Sequence, residues 1–132
     1  MREAVIADAG PLYAAVDPHD LHHHRALEEL ERFAQSRQQV LVSFSTLLET
    51  YSLVMRRMGR QVARKWLAEM SSALVVNPNP EDYRQAATRL QAFEDQPITL
   101  FDATVAVLAS RMGLRVWTYD QHFDIMGASV WR

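Results

Sequence analysis

Short apolar runs alternate with longer segments of helical periodicity along the whole chain of 132 residues, and this alternation limits the possible folds more than any other feature. Strands are predicted at residues 3–7, 40–42, 73–76 and 115–119, with a short edge strand at residues 128–131. Strands that alternate with helices of this length pair in parallel, with helices packed on both faces of the sheet. The sequence therefore predicts an α/β/α sandwich around a mainly parallel central sheet of four or five strands.

Between these strands, apolar side chains recur at helical spacing. A short helix is predicted after Asp8-Ala9-Gly10-Pro11, and longer ones at residues 19–37, 46–59, 61–71, 81–94 and 100–112. The helix at residues 19–37 is expected to carry an acidic outer face. The last helix is apolar nearly all round, which predicts that it is buried in the middle of the fold. The length fits one domain spanning residues 1–132.

Composition excludes several classes of protein. Apolar residues make up 48% and charged residues 23% of the chain, which is ordinary for a globular domain and unlike a disordered one. There is no cysteine, so any metal must be held by oxygen or imidazole. No run approaches the roughly 18 apolar residues of a membrane span, and the amino terminus lacks the apolar core of a signal peptide. We expect no membrane association and a cytoplasmic location.

Four carboxylates, Asp8, Glu49, Asp102 and Asp120, each stand where a strand ends or a helix begins. In an open α/β sheet such ends converge on one crevice. Clustered carboxylates raise one another's pKa, a cost that is usually tolerated where a cation offsets it. Carboxylate ligands without cysteine suit Mg²⁺ or Mn²⁺. The pattern predicts a metal site for phosphodiester chemistry.

Each of these acids also has a purely structural explanation. The spacing of Thr46 and Glu49, and that of Thr99 and Asp102, fits a capping box that contributes on the order of 1 kcal/mol to a helix. Asp8 and Asp120 could each simply begin a turn. Asp102 is the hardest to explain in this way, because it begins a buried helix and no basic residue stands beside it.

Several segments resemble the PIN-domain ribonucleases, and among them the VapC toxins of type II toxin–antitoxin pairs. The last segment is the most specific, because a strand that runs into Thr-x-Asp and then Phe is similar to the closing motif of the family. Together the segments cover nearly the whole chain, and they are Val5-Ile6-Ala7-Asp8-Ala9-Gly10-Pro11-Leu12, Leu47-Leu48-Glu49-Thr50-Tyr51, Leu100-Phe101-Asp102-Ala103 and Val116-Trp117-Thr118-Tyr119-Asp120-Gln121-His122-Phe123.

The resemblance implies the roles of five residues. Asp8, Glu49, Asp102 and Asp120 match the acidic quartet that binds Mg²⁺ or Mn²⁺, and Thr118 matches the hydroxyl residue beside it. It implies hydrolysis of RNA and inhibition by a cognate antitoxin that covers the acids. Asp8 and Asp102 would hold a metal, while Glu49 and Asp120 would hold a second metal or its waters.

The resemblance also implies a homodimer. An apolar surface for a second copy or an antitoxin helix is predicted from Leu53, Met55, Met58, Leu67 and Met70. The alternative to an enzyme is a catalytically silent PIN-like module for RNA binding or assembly. A receiver or aspartate-phosphatase domain is disfavoured, because it needs a lysine late in the chain and none stands there.

Other residues have weaker claims to a function. Asp124 is a secondary candidate acid, and the histidines of the segment His19–His24 are either a metal cluster or a solvated helix start, with the second favoured because no partner motif accompanies them. His122 is expected in a surface turn or in contact with substrate. The three tryptophans are expected in the core rather than against RNA bases. The basic run that holds Arg56, Arg57, Arg60, Arg64 and Lys65 is either a phosphate-binding surface or a solvated face.

Overall fold

The computed structural model describes residues 3–132. Its four strands, β1 (Ala4–Ala7), β2 (Gln39–Ser43), β3 (Leu74–Val76) and β4 (Arg115–Trp117), form one sheet in the order β3-β2-β1-β4, with every pair parallel. The helices in this part of the chain are α1 (Ala9–Val16), α2 (His23–Ser36), α3 (Phe44–Met58), α4 (Arg60–Glu69), α5 (Pro80–Gln91), α6 (Leu100–Met112) and α7 (His122–Ile125), with a 3-10 turn at Met70–Ser72. The predicted parallel α/β/α fold is confirmed.

The two faces of the sheet bury different helices, because successive side chains of a strand point to opposite faces. Val5, Ala7 and Trp117 pack in one core with residues of α1 and α2. Ile6 and Val116 pack in a second core with residues of α5, α6 and α7. Strands β1 and β4 are therefore covered on both sides, and this explains why β1 is an unbroken apolar run in the sequence.

Helix α6 is buried as its sequence predicted. Every residue from Asp102 to Ala109 is buried, and the helix begins with the predicted capping box between Thr99 and Asp102. Gly113 ends it in a left-handed conformation, with φ of 67°, which glycine adopts without steric cost. A carboxylate thus begins the most buried helix of the fold.

The start of α3 differs from the prediction. The helix begins at Phe44 directly after β2, with Ser43 as its extended N-cap, so Thr46 lies inside the helix and is fully buried. Glu49 therefore falls in the second turn, and the predicted capping box between Thr46 and Glu49 is wrong. Because β2 leads into the helix without a loop, the helix starts earlier than the polar residues of the sequence suggested.

Two strands are shorter than predicted. Strand β4 ends at Trp117, because the chain turns at Thr118, whose hydroxyl accepts a hydrogen bond from the Asp120 amide. The edge strand expected at residues 128–131 is reduced to a single parallel bridge between Val116 and Val130. Within the described residues, no helix combines the length and hydropathy needed to cross a bilayer.

Candidate active site

The candidate site lies where the connections from the sheet diverge. The chain leaves β1 towards β2 and β3 on one side and returns to β4 on the other side of β1. Where two adjacent strands have connections that run in opposite directions, a crevice forms at their carboxyl ends. Here these strands are β1 and β4. Asp8 follows β1 and Asp120 follows β4, while Glu49 and Asp102 reach the same place from α3 and α6. All four carboxylates line one open cleft of about 710 Å³.

Asp8 lies at the centre of this arrangement. Its side chain is buried, its amide donates to the Trp117 carbonyl at 2.9 Å, and its Oδ2 accepts a hydrogen bond of 2.8 Å from the Thr118 hydroxyl. Burial, and then the nearby charge of Asp102, raise the pKa of Asp8 to about 7. Without a cation, this carboxyl group is costly to ionise.

The carboxyl groups of Glu49 and Asp102 are also costly to ionise. Burial and the charges of Asp8 and Asp102 raise the pKa of Glu49 to about 7. The Oε1 atom of Glu49 is buried and has no hydrogen-bond partner among residues 3–132. Burial also raises the pKa of Asp102, although its carboxylate caps α6 by accepting from the Thr99 amide at 3.3 Å. Asp102 therefore belongs to both the cap and the cluster, so the two interpretations of its position are compatible.

His122 joins the cluster, whereas the sequence predicted it in a surface turn or in contact with substrate and did not count it among the metal ligands. One ligand atom each from Asp102, Asp120 and His122 lies within 4.8 Å of the others. The Nδ1 atom of His122 lies 3.2 Å from Oδ1 of Asp120, without the alignment of a hydrogen bond. The spacing Asp-x-His after a buried strand was the available signal, because it brings both side chains to the same turn.

These residues fit a hard divalent cation. A buried carboxylate oxygen without a donor, on Glu49, beside two further carboxyl groups of raised pKa, is an arrangement that a cation would stabilise. The donor set of carboxylate oxygens and one imidazole, with no thiolate, suits Mg²⁺ or Mn²⁺.

Another buried acid lies behind the site, on the helix for which the sequence predicted an acidic outer face. Glu29 of α2 is 7% exposed, which contradicts the expected acidic outer face at this position. Its Oε1 accepts hydrogen bonds from Trp117 Nε1 at 3.1 Å and from the Tyr119 hydroxyl at 2.5 Å. Trp117 and Tyr119 flank Thr118, so Glu29 holds the strand end that carries Thr118 and Asp120. The spacing of Glu29 from Ala26 and Phe33, the other buried residues of α2, was the available signal for its burial. Its hydrogen-bond partners could not be predicted, because they lie 88 and 90 residues away.

Of the residues with weaker claims to a function, Asp124 lies outside the cleft and His22 lines it. Asp124 is exposed and pairs with Arg132 at 2.8 Å, and it does not line the cleft. His22 does line the cleft, with its ring 4.7 Å from that of Tyr119. His23 instead bonds the Ala14 carbonyl through Nδ1. In the described chain the segment His19–His24 supplies no group of three ligand atoms close enough for a metal.

The remaining predictions concern aromatic and apolar residues. The three tryptophans are buried, which confirms that they belong to the core; they are Trp66, Trp117 and Trp131. The apolar surface predicted from Leu53, Met55, Met58, Leu67 and Met70 is not continuous. Met55 and Leu67 are exposed, but Leu53 and Met58 pack against one core cluster and Met70 against another.

Comparison with known proteins supports this description of the fold. The family model described as PIN domain matches residues 5–128, and the chain belongs to the PIN domain family. Comparison with curated proteins gives no significant match.

Solved structures with the same fold come from bacterial VapC and VapBC systems. The chain is similar to the toxin VapC20 of Mycobacterium tuberculosis, described as cleaving the sarcin-ricin loop, with a TM-score of 0.83 and 23% identity over 97% of this chain and 98% of that one. It is also similar to VapBC2 of Rickettsia felis bound to promoter DNA, with a TM-score of 0.74 and 16% identity over 98% and 97% of the two chains. FitAcB of Neisseria gonorrhoeae gives a TM-score of 0.68 and 16% identity over 97% and 96%.

Proposed function

We propose that residues 1–132 form a single PIN domain that acts as a divalent-metal-dependent endoribonuclease, a VapC-like toxin restrained by a cognate antitoxin. The observation that carries the proposal is the convergence of Asp8, Glu49, Asp102 and Asp120 on one cleft, with a buried Glu49 oxygen that has no hydrogen-bond partner in the described chain. Membership of the PIN domain family and the fold shared with the RNA-cleaving VapC20 support it. Such a toxin meets its RNA in the cytoplasm.

A bound Mg²⁺, or Mn²⁺ in its place, would lower the pKa of a water for attack at phosphorus and offset charge on the phosphate oxygens. In this proposal Asp8 and Asp102 hold the ion. Glu49 and Asp120 hold a second ion or its waters. Thr118 orients Asp8 and, by donating to it, favours its ionised form.

The test compares cleavage of purified RNA by the wild type with that by Asp8→Asn and Asp102→Asn. Each variant removes one negative charge at nearly constant volume, so we expect cleavage to be lost while the fold is kept. Asp95→Asn is the matched control, because Asp95 is exposed and does not line the cleft. Cleavage by Asp8→Asn at the wild-type rate would contradict the assignment.

The same test separates the enzyme from a catalytically silent RNA-binding or assembly module. A silent module would bind RNA without cutting it, with or without Mg²⁺. The presence of all four acids in one cleft favours the enzyme, since a binding module has no need for clustered carboxyl groups that repel RNA.

The antitoxin is proposed to act on the same charges. Similar structures include VapBC and FitAB antitoxin complexes. An arginine of the partner could insert among the carboxylates and take the place of the metal, while apolar side chains pack beside it. We expect a small partner encoded beside this gene to bind less tightly to Asp8→Ala or Asp102→Ala. If it binds the quadruple alanine variant of the four acids as tightly as wild type, inhibition does not act through the acids.

The homodimer remains a separate proposal. Met55 and Leu67 are exposed and offer apolar area to a second copy. The other three residues of the predicted surface pack against the core, so they contribute less to such an interface. Light scattering of the purified chain tests it, and a monomer at every concentration would contradict it.

A further inference from the structure

The cleft has a strong excess of negative charge around a single arginine. Its lining includes five carboxyl groups, those of the proposed quartet and of Asp20. Within the described chain, one lysine or arginine side chain lines it, that of Arg57. The predicted basic run is therefore divided by the fold, because Arg56, Arg60, Arg64 and Lys65 lie outside the cleft. An RNA strand that enters this cleft would meet one full positive charge from the protein.

Arg57 lies on the same face of α3 as Glu49. Glu49, Leu53 and Arg57 are spaced by four residues, which places them along one side of a helix, and all three line the cleft. Eight residues at 1.5 Å each put the two ends of this row about 12 Å apart along the helix. The backbone at Arg57 is thus about two turns of helix beyond Glu49, at the end of the row away from that acid. From there the side chain is better placed to meet a neighbouring phosphate than the one being cleaved.

The guanidinium is held in place but not neutralised. It lies 5.0 Å from the ring centroid of Tyr13, whose hydroxyl donates a hydrogen bond of 2.6 Å to Asp17 Oδ2. Tyr13 is buried, so it offers a fixed surface. Among residues 3–132, Arg57 forms no ion pair with a carboxylate. The guanidinium also interacts with the Tyr13 hydroxyl, which partly offsets the rise in the pKa of that phenol caused by burial. An arginine that lies over an aromatic ring and pairs with no carboxylate still has N–H donors left for a phosphate.

The position of Arg57 also has a structural explanation. Arg56 and Arg57 both stand in the last turn of α3, where positive charge stabilises the helix dipole. Either residue satisfies that need equally well. Only Arg57 stacks on Tyr13 and lines the cleft, and the helix dipole does not account for this difference.

Resting on the proposed function, we propose that Arg57 binds a phosphate of the RNA strand next to the scissile phosphate. A substrate with at least one phosphate beyond the bond that is cut would then bind more tightly than a substrate without one. The arginine contributes binding energy and positions the strand, without touching the reacting atoms.

Arg56→Gln is the matched control for Arg57→Gln, because both remove one charge from the same turn of the same helix. On an oligoribonucleotide, we expect Arg57→Gln to raise KM about tenfold with little change in kcat, as expected for one lost charge-assisted contact. Arg56→Gln should behave as wild type. The dependence of log(kcat/KM) on log salt should become shallower by about 0.7 for Arg57→Gln, the value for one phosphate contact with a single strand.

A dinucleoside monophosphate provides a test within the same preparations, since it contains only the scissile phosphate. The loss caused by Arg57→Gln should be clearly smaller on this substrate than on the oligonucleotide. Misfolding would lower both activities together, so this comparison separates a local effect from a damaged fold. Arg57→Lys should recover part of the affinity, because it keeps the charge but loses the guanidinium group that lies over the Tyr13 ring.

Binding without cleavage gives an independent measurement. In an Asp102→Asn background, fluorescence anisotropy with a short labelled single-stranded oligoribonucleotide should show weaker binding for Arg57→Gln than for Arg56→Gln. If the wild type cleaves RNA but the two arginine variants have the same KM, salt dependence and anisotropy, the inference about Arg57 is wrong and the proposed function stands. If the wild type neither binds nor cleaves RNA, the proposed function fails and the inference fails with it.

Discussion

The hydroxyl of Thr118 donates a hydrogen bond of 2.8 Å to Oδ2 of Asp8 and accepts one of 3.0 Å from the amide of Asp120. One side chain thereby joins the ends of β1 and β4, which are 110 residues apart in sequence. The bond lowers the pKa of Asp8 against the larger effects of burial and of Asp102. Thr118 therefore favours the ionised carboxylate that a metal needs.

We expect Thr118→Val to weaken Mn²⁺ binding by roughly tenfold and to lower the stability of the fold by about 1 kcal/mol for each hydrogen bond lost. Calorimetric titration with Mn²⁺ and thermal melting measure the two effects. Thr104→Val is the control, since Thr104 is equally buried and its hydroxyl bonds only the Leu100 carbonyl within α6. If both variants keep the wild-type affinity for Mn²⁺, Thr118 has no part in the metal site.

Divalent metal should stabilise the native chain. A ligand that binds only the folded state adds about 2.7 kcal/mol at a free concentration 100 times its Kd. We expect Mg²⁺ or Mn²⁺ to raise the melting temperature, EDTA to reverse the rise, and Zn²⁺ to be unnecessary. Asp8→Asn should lose most of the rise, while Asp95→Asn should keep it. Absence of both a melting shift and a heat of binding at millimolar Mn²⁺ would mean that the carboxyl groups do not form a metal site.

The pH dependence of stability follows from the raised pKa values of Asp8 and Glu49. In the folded, metal-free chain both carboxyl groups have a pKa of about 7, against ordinary values of 3.8 for Asp and 4.5 for Glu. Between those values the folded state binds more protons than the unfolded state, so stability falls as pH rises from about 4 to about 7 and then levels off.

Melting curves in EDTA across this range test the sign. Asp8→Asn should flatten the slope, because its amide does not titrate, and saturating Mn²⁺ should flatten it too, because the metal holds the carboxylates ionised. A slope that Asp8→Asn leaves unchanged would show that other groups control the pH dependence.

Glu29 should matter to stability more than a surface acid does. Glu29→Ala leaves the Trp117 indole and the Tyr119 hydroxyl without their acceptor, so we expect a loss of about 2 to 4 kcal/mol. Glu29→Gln keeps one acceptor oxygen and should lose less. Glu28→Ala, at an exposed position of the same helix, should change stability by less than about 0.5 kcal/mol. Chemical denaturation provides the values, and equal losses for the two alanine variants would contradict the role given to Glu29.

The order of strands and helices was predictable because hydrophobic periodicity is local. Four consecutive apolar positions suffice to mark β1 as a buried strand. Apolar residues on nearly every side of α6 predict its burial without knowledge of its neighbours. The ends of these elements then place Asp8, Asp102 and Asp120 at one edge of a parallel sheet. For these three acids, the convergence in the structure follows from patterns within the sequence.

The sequence alone did not determine which polar side chains are buried or line the cleft, as four residues show: Glu29, Glu49, Arg57 and His122. The sequence left the basic run that holds Arg57 as either a phosphate-binding surface or a solvated face. The packing of α3 against α1 and α6 decides that the face with Glu49 and Arg57 lines the cleft. Glu29 was predicted on the acidic outer face of its helix, and its burial as a carboxylate depends on an indole and a phenol from the far end of the chain. Local periodicity thus determined which segments fold and which acids end them, whereas contacts between segments far apart in sequence decided which polar groups are buried, because such contacts exist only once the helices have packed on the sheet.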